Sequence, residues 1–434
     1  METTIRPASG PLRGSVRVPS DKSISHRAVL FSALTEGTSS LRAVLDAHDV
    51  RSTIAAVQAL GARLDVSPGA EGLTLAVQGW GERGPIAPST PIDCGNSGTT
   101  ARLLMGVLAG YPVRCTLVGD ESLSRRPMRR VTEPLSRMGA RFELSASGTL
   151  PAVVTGGGLV GCEHVLPVAS AQVKSALLLA GLRAHGVTRV TEPAPSRDHT
   201  ERMLPAFGAA VTRESPVTVS VLGPQSLSAA EVTVPADPSS AAFLVVAALL
   251  VPGSEIVIRD VSLNPTRTGF LAVLKRMGAD FEVCDVRASG AEEVGDLVVR
   301  HTERLCATEV TPSEVPALID EVPILAVAAA TAEGVTRFRA VGELRVKESD
   351  RFDAIVTSLA AMGADAHADD DDLVVEGPSR LQPALLSSRG DHRLAMAFAV
   401  AGLVAEGPVR IDGFESVGVS YPGFLDDVRA LLSG

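Results

Sequence analysis

The chain has 434 residues, of which 45% are hydrophobic and 21% charged, and its formal net charge is −10. This length exceeds one ordinary domain, so we expect two or three hydrophobic cores, and the composition excludes a disordered or fibrous chain. The negative charge argues against a general nucleic-acid-binding protein, which needs a basic surface for the phosphate backbone.

An amphipathic helix followed by a glycine and a strand recurs along the chain. The segments read VQALGARLDV, LSRMGARFEL, LPAFGAAVT, LKRMGADFEV and LAAMGADAHA, with the glycine at Gly61, Gly139, Gly208, Gly278 and Gly363. Successive glycines are 78, 69, 70 and 85 residues apart, and FLDDVRALLSG ends the chain 71 residues after the last of them as a truncated sixth copy. A glycine at this place predicts a left-handed cap at the helix C-terminus.

A second series of helices alternates with the first. Its members are apolar on every side, which is typical of buried helices; they are SHRAVLFSALTEG, TARLLMGVLAG, QVKSALLLAGLRAHG, SAAFLVVAALLVPG, VPILAVAAATAEG and HRLAMAFAVAGLVAEG. The segments VTRV, EIVI, VTRF and PVRI that follow four of them alternate like strands. We therefore predict an α/β protein of six units of about 70 residues, each with one buried helix, one amphipathic helix and several strands.

Proline-containing junctions divide these units into two groups of three. Pro19-Ser20 precedes the first group, and Pro235-Ala236-Asp237-Pro238 follows it. We predict one domain over residues 19–235 and a second domain formed by 1–18 together with 236–434.

A polar cluster stands just before each buried helix. The six clusters read SDKS, CGNSGT, ASAQ, ADPSS, LIDE and RGDH. Asp, Ser and Asn at these places are good N-caps, which is one interpretation. A helix N-terminus also carries free N–H groups and a partial positive charge, so the same clusters are candidate sites for anionic ligands. The sequence leaves both interpretations open.

Basic residues gather at these junctions or in the loops beside them. They are Lys22, Arg27, Arg102, Arg125, Arg126, Lys174, Arg197, Lys347, Arg351 and Arg393. Any one of them alone is best explained as a solvated or salt-bridged surface residue. Their recurrence at matching places favours a pocket for several phosphates and carboxylates, because arginine pairs with such groups through two parallel hydrogen bonds.

Few acid/base candidates accompany these cations. Asp320 opens a buried helix, and Glu348 adjoins Lys347. Helix capping is the structural alternative for Asp320, and an ion pair with Lys347 or Arg351 is the alternative for Glu348. His392 is either a titrating group or a hydrogen-bonded structural histidine.

Several function classes lack their signatures. The five cysteines are odd in number and form no C-x-x-C, so we expect reduced thiols in the cytoplasm rather than disulfides or zinc. The first residues contain no apolar run, and the apolar stretch 241–251 is far shorter than the roughly 18 residues that a membrane span needs. No dinucleotide, P-loop or H-E-x-x-H motif occurs.

Eight motifs lie in order along nearly the whole chain: SDKSISHRA, CGNSGTTARLL, GDESLSRRPM, PVASAQVKSALLLAG, SRDHTERML, LIDEVPILAVAAA, LRVKESDR and GDHRLAMA. Together they resemble the enolpyruvyl transferase family, and within it the enzymes that use shikimate 3-phosphate. The resemblance implies two domains, each of three βαβαββ units, with the active site in the cleft between them. It implies transfer of the enolpyruvyl group of phosphoenolpyruvate to the 5-hydroxyl of shikimate 3-phosphate in the shikimate pathway. It further implies a cytoplasmic monomer without metal, cofactor, nucleic-acid or membrane partner.

The family's site residues are carried over onto matching positions. For shikimate 3-phosphate the resemblance implies Lys22, Ser23, Arg27, Ser170, Gln172, Ser196, Asp320 and Lys347. For phosphoenolpyruvate it implies Lys22, Asn96, Gly98, Arg126, Gln172, Arg351 and Arg393. Asp320, Glu348 and Lys22 would be catalytic, with Arg197 and His392 in support.

Two departures from the family pattern stand out. Ser170-Ala171-Gln172 occurs where some members have two serines before the glutamine, and Val419-Ser420-Tyr421-Pro422 lacks a lysine that some members carry there. The rival interpretations are a sister enzyme that acts on a UDP-linked amino sugar and a non-catalytic anion-binding protein of the same fold. The loop 119–127 has no cysteine, which the sister enzyme uses, but it keeps Asp120, so the SDKSISHR motif decides against that rival.

Overall fold

The computed structural model describes residues 2–433, within which twelve α-helices and 25 strands alternate along the chain. The helices are α1 (Lys22–Ala33), α2 (His48–Ala59), α3 (Gly98–Ala109), α4 (Arg129–Arg137), α5 (Ala171–Gly181), α6 (His199–Met203), α7 (Pro238–Leu250), α8 (Gly269–Arg276), α9 (Val322–Thr331), α10 (Arg351–Ala361), α11 (His392–Leu403) and α12 (Phe424–Ser433). Within these residues no helix combines the length and the hydropathy that a membrane crossing needs.

The strands are mostly short. They are β1 (Thr3–Ile5), β2 (Arg13–Val16), β3 (Thr35–Glu36), β4 (Thr38–Val44), β5 (Arg63–Gly69), β6 (Gly72–Gln78), β7 (Ile92–Asp93), β8 (Arg114–Val118), β9 (Arg141–Leu144), β10 (Ala152–Thr155), β11 (Glu163–Val165), β12 (Gly186–Thr191), β13 (Thr212–Ser215), β14 (Thr218–Gly223), β15 (Leu227–Ser228), β16 (Glu231–Thr233), β17 (Glu255–Ser262), β18 (Phe281–Ser289), β19 (Glu292–Arg300), β20 (Glu309–Val310), β21 (Gly334–Phe338), β22 (Asp365–Asp369), β23 (Asp372–Gly377), β24 (Leu385–Ser387) and β25 (Val409–Asp412).

The chain forms two compact units. The terminal unit comprises residues 2–19, 235–288 and 292–433, and the inserted unit comprises residues 20–234 with 289–291. Each unit has its own hydrophobic core.

Three principal sheets belong to each unit. Those of the inserted unit have the strand orders β16-β4-β6-β5, β7-β8-β10-β9 and β11-β12-β14-β13; those of the terminal unit have the orders β18-β19-β17-β2, β20-β21-β23-β22 and β1-β25-β24. Every one of the six contains a parallel strand pair at one edge. The predicted α/β organisation in six units is therefore confirmed, and the last sheet has three strands.

The predicted buried helices form the centre of each core. In the inserted unit α3 packs on α5 and α1, and in the terminal unit α7, α9 and α11 pack on one another. A β-carbon at Gly106 would lie 2.3 Å from the carbonyl oxygen of Ala176, so the close approach of α3 to α5 requires glycine. All nine residues from Val322 to Ala330 are buried, which explains why α9 is apolar on every side.

The glycines after the amphipathic helices have the predicted left-handed conformation. Their φ angles are positive, at 101° for Gly61, 115° for Gly139, 83° for Gly208, 86° for Gly278 and 82° for Gly363. The third amphipathic helix differs from the prediction in length, because α6 has five residues and continues as a 3₁₀ turn over Leu204–Phe207. Pro205 lies in that turn, and a proline removes a backbone donor and clashes with the preceding helical turn.

His26 ties the helices of the inserted unit together. Its Nδ1 lies 2.7 Å from Thr53 Oγ1, which lies 2.6 Å from Thr100 Oγ1. Burial lowers the pKa of His26 to about 3, with Lys22 and Arg27 acting in the same direction and Asp49 opposing them. The folded chain therefore keeps this imidazole neutral at physiological pH.

Acidification is expected to destabilise the inserted unit through His26. In the unfolded chain this histidine binds a proton near pH 6.5, whereas in the folded chain it does so only near pH 3. Above pH 6.5 the histidine is neutral in both states and does not lower the free energy of unfolding. As the pH falls from 6.5 toward 3, proton binding by the unfolded chain lowers the free energy of unfolding by about 1.4 kcal/mol per pH unit. Between pH 7 and pH 5, the free energy of unfolding of the wild type should fall by about 2 kcal/mol more than that of His26→Asn. Urea unfolding followed by Trp80 fluorescence measures this, since Trp80 lies in the same unit. Equal losses in both proteins would contradict it.

Candidate functional site

Most of the polar clusters before the buried helices act as N-caps. Asp21 Oδ1 accepts a hydrogen bond from Ile24 N at 2.8 Å, Ser97 Oγ from Thr100 N at 3.1 Å and Ser170 Oγ from Val173 N at 3.4 Å. In the terminal unit Asp237 caps α7 and Asp391 caps α11 in the same way. Helix α9 is the exception among the six, because Glu321 precedes it without a side-chain cap bond. Glu321 rather than Asp320 therefore occupies the N-cap position of α9.

The loops before α3 and α4 bring Asn96 and Arg126 together. Asn96 Oδ1 accepts a hydrogen bond from Arg126 Nη2 at 2.6 Å, and Asn96 Nδ2 donates to Asp120 Oδ2 at 2.7 Å. Gly98 begins α3 beside them, where an added β-carbon would lie 2.9 Å from Arg102 Nη1 and 3.4 Å from Arg126 Nη1. The N-terminal end of α3 and two guanidinium groups thus surround a position that has no side chain.

Gln172 joins the start of α5 to α3. Its Oε1 accepts a hydrogen bond from Arg102 Nη1 at 2.5 Å, and its Nε2 donates to Thr99 Oγ1 at 3.0 Å. Arg102 was recognised in the sequence as a junction cation but was not assigned to the site. Its position one helical turn after Gly98 is the signal that places it there, since residues four apart share a helix face.

Lys22 and Arg27 lie on α1 with different partners. Lys22 Nζ lies 3.1 Å from Asp49 Oδ2. Arg27 is buried, donates to the hydroxyls of Thr200 and Ser175 at 2.8 Å each, and donates to the carbonyl of Ser23 at 3.0 Å. Arg27 thus holds α1 against α5 and α6.

Ser170 and Ser196 meet at the carboxylate of Glu192. Glu192 Oε1 accepts hydrogen bonds from Ser170 N and Ser196 Oγ, both at 2.8 Å. Arg197 follows directly and is half-buried. The inserted unit therefore groups Lys22, Ser23, Arg27, Asn96, Gly98, Arg126, Ser170, Gln172 and Ser196 around the N-termini of α1, α3 and α5; we name these residues the first cluster.

A second cluster in the terminal unit is formed by Asp320, Lys347, Glu348, Arg351, Asp391 and Arg393. Arg351 is fully buried at its centre, with Nε 2.7 Å from Asp391 Oδ2, Nη1 3.1 Å from Asp320 Oδ1 and Nη2 2.6 Å from Glu348 Oε2. Burial alone lowers the pKa of Arg351, but Asp391, Glu348 and Asp320 raise it more, so the guanidinium is held charged. The alternative for Glu348, an ion pair with Arg351, is realised.

Asp320 is the shared acid of this cluster. Besides Arg351, its carboxylate oxygens lie 3.7 Å from Lys347 Nζ and 3.7 Å from Arg393 Nη2. Arg393 Nη1 also donates to the Asp320 carbonyl at 3.2 Å and to Glu321 Oε1 at 3.3 Å. Three cations therefore surround one carboxylate. Buried His392 begins α11 next to Arg393.

Sequence reasoning missed Asp391 and Glu192 as members of these clusters. Asp391 was covered by the RGDH and GDHRLAMA motifs without a role in the site, and Glu192 was covered by no motif. Both are buried acids that also have a partner far along the chain, Ser170 for Glu192 and Arg351 for Asp391, and no local pattern marks those contacts.

Comparisons with known proteins agree along the whole chain. The family model for EPSP synthase (3-phosphoshikimate 1-carboxyvinyltransferase) matches residues 7–428. The 3-phosphoshikimate 1-carboxyvinyltransferase of Bacillus cereus (strain G9842) is 45% identical over 431 residues, which is 99% of each chain. That of Halorhodospira halophila is 50% identical over 426 residues, covering 98% of this chain and 95% of the relative.

Solved structures show the same likeness. EPSP synthase from Acinetobacter baumannii has a TM-score of 0.88 and 40% identity, covering 99% of this chain and 98% of that one. The enolpyruvyl transferase NikO from Streptomyces tendae has a TM-score of 0.79 at 21% identity, with 99% and 96% coverage, and so shares the fold.

Proposed function

This chain belongs to the EPSP synthase family, the 3-phosphoshikimate 1-carboxyvinyltransferases, and from that membership we infer how its two clusters serve the reaction. The enzyme transfers the enolpyruvyl group of phosphoenolpyruvate to the 5-hydroxyl of shikimate 3-phosphate and releases phosphate, a step of the shikimate pathway. The observation that carries the assignment of roles is the placement of Asp320 among Lys347, Arg351 and Arg393.

The first cluster binds phosphate groups. Ser170, Ser196, Gln172, Ser23 and Arg27 hold shikimate 3-phosphate, and Asn96, Gly98 and Arg126 hold the phosphate of phosphoenolpyruvate, with Lys22 and Gln172 serving both substrates. Three helix N-termini support this assignment, because their free N–H groups and dipoles favour anions.

The second cluster binds the remaining groups and moves protons. Arg351 and Arg393 hold the carboxylate of phosphoenolpyruvate, and Lys347 and Asp320 contact shikimate 3-phosphate. The Glu348 side chain is 30% exposed whereas that of Asp391 is fully buried, so Glu348 is the partner of Arg351 that yields to a substrate carboxylate. Arg197 and His392 support the neighbouring residues of the two clusters.

The chemistry follows as two steps. In the first step Asp320 accepts the proton of the 5-hydroxyl while the hydroxyl oxygen bonds to C2 of phosphoenolpyruvate and C3 gains a proton. Glu348 and Lys22 act on the other two reacting groups, the carbon that is protonated and the phosphate that leaves. The tetrahedral intermediate then loses phosphate from C2 and the proton from C3, which restores the double bond. The cations stabilise the two anionic substrates side by side, and such positioning is worth up to about 7 to 11 kcal/mol.

A coupled assay tests the function. Phosphate release from phosphoenolpyruvate should require shikimate 3-phosphate and should not occur with UDP-N-acetylglucosamine. Release with the UDP-sugar would favour the sister enzyme, and binding of shikimate 3-phosphate without any release would favour a non-catalytic protein. We also propose that the chain acts as a cytoplasmic monomer. Its five free cysteines support the cytoplasmic location, and size-exclusion chromatography tests the monomeric state.

Replacing Gly98 by alanine is expected to weaken binding of phosphoenolpyruvate. The added methyl would approach Arg102 Nη1 to 2.9 Å, so the guanidinium groups must shift away from the start of α3. We expect the KM for phosphoenolpyruvate to rise about ten-fold, equivalent to about 1.4 kcal/mol, with the KM for shikimate 3-phosphate nearly unchanged. Gly10→Ala is the matched control, because no atom lies within 4 Å of a β-carbon there. Equal KM values for Gly98→Ala and wild type would refute the assignment of Gly98.

A further inference from the structure

Glu192 links two residues that the proposed function assigns to the phosphate of shikimate 3-phosphate. Ser170 caps α5, whereas Ser196 lies in the loop between β12 and α6. Glu192 Oε1 lies 2.8 Å from both Ser170 N and Ser196 Oγ, and Oε2 lies 2.9 Å from Ser196 Oγ. One buried carboxylate therefore sets the spacing of two elements that are separate in the chain.

We propose that Glu192 is a positioning residue for the phosphate-binding serines, an inference that rests on the proposed function. It contacts no substrate group itself; it holds Ser170 through its backbone N–H and Ser196 through its hydroxyl.

Lys174 forms an ion pair with this carboxylate. Its Nζ lies 2.7 Å from Glu192 Oε2 and 2.8 Å from Glu201 Oε1, and all three side chains are buried. Burial alone lowers the pKa of Lys174, but the two glutamates raise it more, so the ammonium stays charged. Glu192 Oε1 accepts from two donors that belong to different elements, Ser170 N and Ser196 Oγ.

Ligand binding changes only one of these bonds. Ser196 has a single hydroxyl proton, which is directed at Glu192 in this structure. When a phosphate accepts that proton instead, Glu192 keeps the Ser170 N–H and Lys174, so no buried charge loses its counterion. The site can therefore exchange carboxylate for phosphate at Ser196 while the backbone of Ser170 stays in place.

Glu201 offers a matched control. It is buried like Glu192, and its carboxylate pairs with the same lysine, Lys174, rather than with either serine. Truncating Glu192 or Glu201 leaves the same Lys174 with one carboxylate, so the two variants lose similar ion-pair energy. They differ in whether Ser170 and Ser196 keep their shared acceptor.

The experiment compares Glu192→Ala, Glu192→Gln and Glu201→Ala with the wild type, using calorimetric binding of shikimate 3-phosphate and steady-state kinetics for both substrates. For Glu192→Ala we expect the Kd and KM for shikimate 3-phosphate to rise at least about ten-fold, with a change of less than about three-fold in the KM for phosphoenolpyruvate. Glu192→Gln should lie between Glu192→Ala and the wild type, because its amide oxygen still accepts from Ser170 N and Ser196 Oγ, whereas its amide nitrogen, a donor, faces Lys174 Nζ. Glu201→Ala should bind shikimate 3-phosphate like the wild type.

Equal shifts in Kd for the two alanine variants, an unchanged Kd for Glu192→Ala, or no rescue by glutamine would each overturn the inference. Urea unfolding of all variants identifies any loss of folding, and the glutamine variant keeps the test valid if Glu192→Ala does not fold. A wild type that binds shikimate 3-phosphate but forms no product contradicts the proposed reaction and leaves the binding comparison decisive. A wild type that does not bind it overturns both.

Discussion

Asp320→Asn is expected to lower kcat by about 10²- to 10⁴-fold, which is the contribution that a positioned general acid or base makes to catalysis. Asparagine keeps the size of the side chain but cannot accept the proton of the 5-hydroxyl. Its amide oxygen still accepts a hydrogen bond from Arg351 Nη1, so the Kd for shikimate 3-phosphate should change by less than about ten-fold. Phosphate-release kinetics and calorimetric binding measure the two effects separately.

Asp372→Asn is the control for this prediction. Asp372 lies in the same unit and accepts hydrogen bonds from Arg337 at 3.1 Å and Arg339 at 3.0 Å. Neither arginine is a proposed site residue. The kcat of Asp372→Asn should equal that of the wild type. If Asp320→Asn retained wild-type kcat, or if both variants lost activity equally, Asp320 would not be the proton acceptor.

Arg351→Met is expected to reduce the free energy of unfolding by about 3 to 5 kcal/mol, since removal of one member of a buried ionic network leaves its partners uncompensated. The guanidinium has no exposed surface, and it contacts Asp391, Asp320 and Glu348. Urea unfolding should be followed by circular dichroism, because the only tryptophan, Trp80, lies in the inserted unit.

Arg304→Met supplies the comparison for this loss. Its ion pair with Glu333 is largely exposed, so its removal should cost less than about 1 kcal/mol. A loss of similar size in both variants would show that Arg351 contributes no more than a surface pair. Wild-type affinity of folded Arg351→Met for phosphoenolpyruvate would also remove Arg351 from the proposed carboxylate clamp.

The repeat pattern was readable from the sequence because its signals are local. Helices that are apolar on every side, such as Val322–Thr331, must be buried, and a glycine after an amphipathic helix marks a left-handed cap. These two signals recur about every 70 residues, and this recurrence predicted six α/β units. The segment LPAF before Gly208 was interpreted as part of an amphipathic helix, but it is a 3₁₀ turn because Pro205 interrupts the helical pattern.

The candidate residues were named from motifs, but apart from the Glu348–Arg351 pair their partners were not. Asp320 looked as much like a helix cap as like an acid/base group, and the structure places it against Lys347, Arg351 and Arg393 instead. Of the acids that organise the clusters, Glu192 had no signal of its own, and Asp391 was marked only as a helix cap. Their roles depend on distances between elements that lie far apart in the chain.

The sequence by itself determined the six-unit α/β organisation and the family of this protein, because both depend on periodic or contiguous residue patterns. Only the tertiary structure decided that Asp391 and Asp320 share Arg351 and that Glu192 joins Ser170 to Ser196. The physical reason is that a hydrogen bond or ion pair requires contact within about 3 to 4 Å, and the packing of whole helices and loops sets that separation.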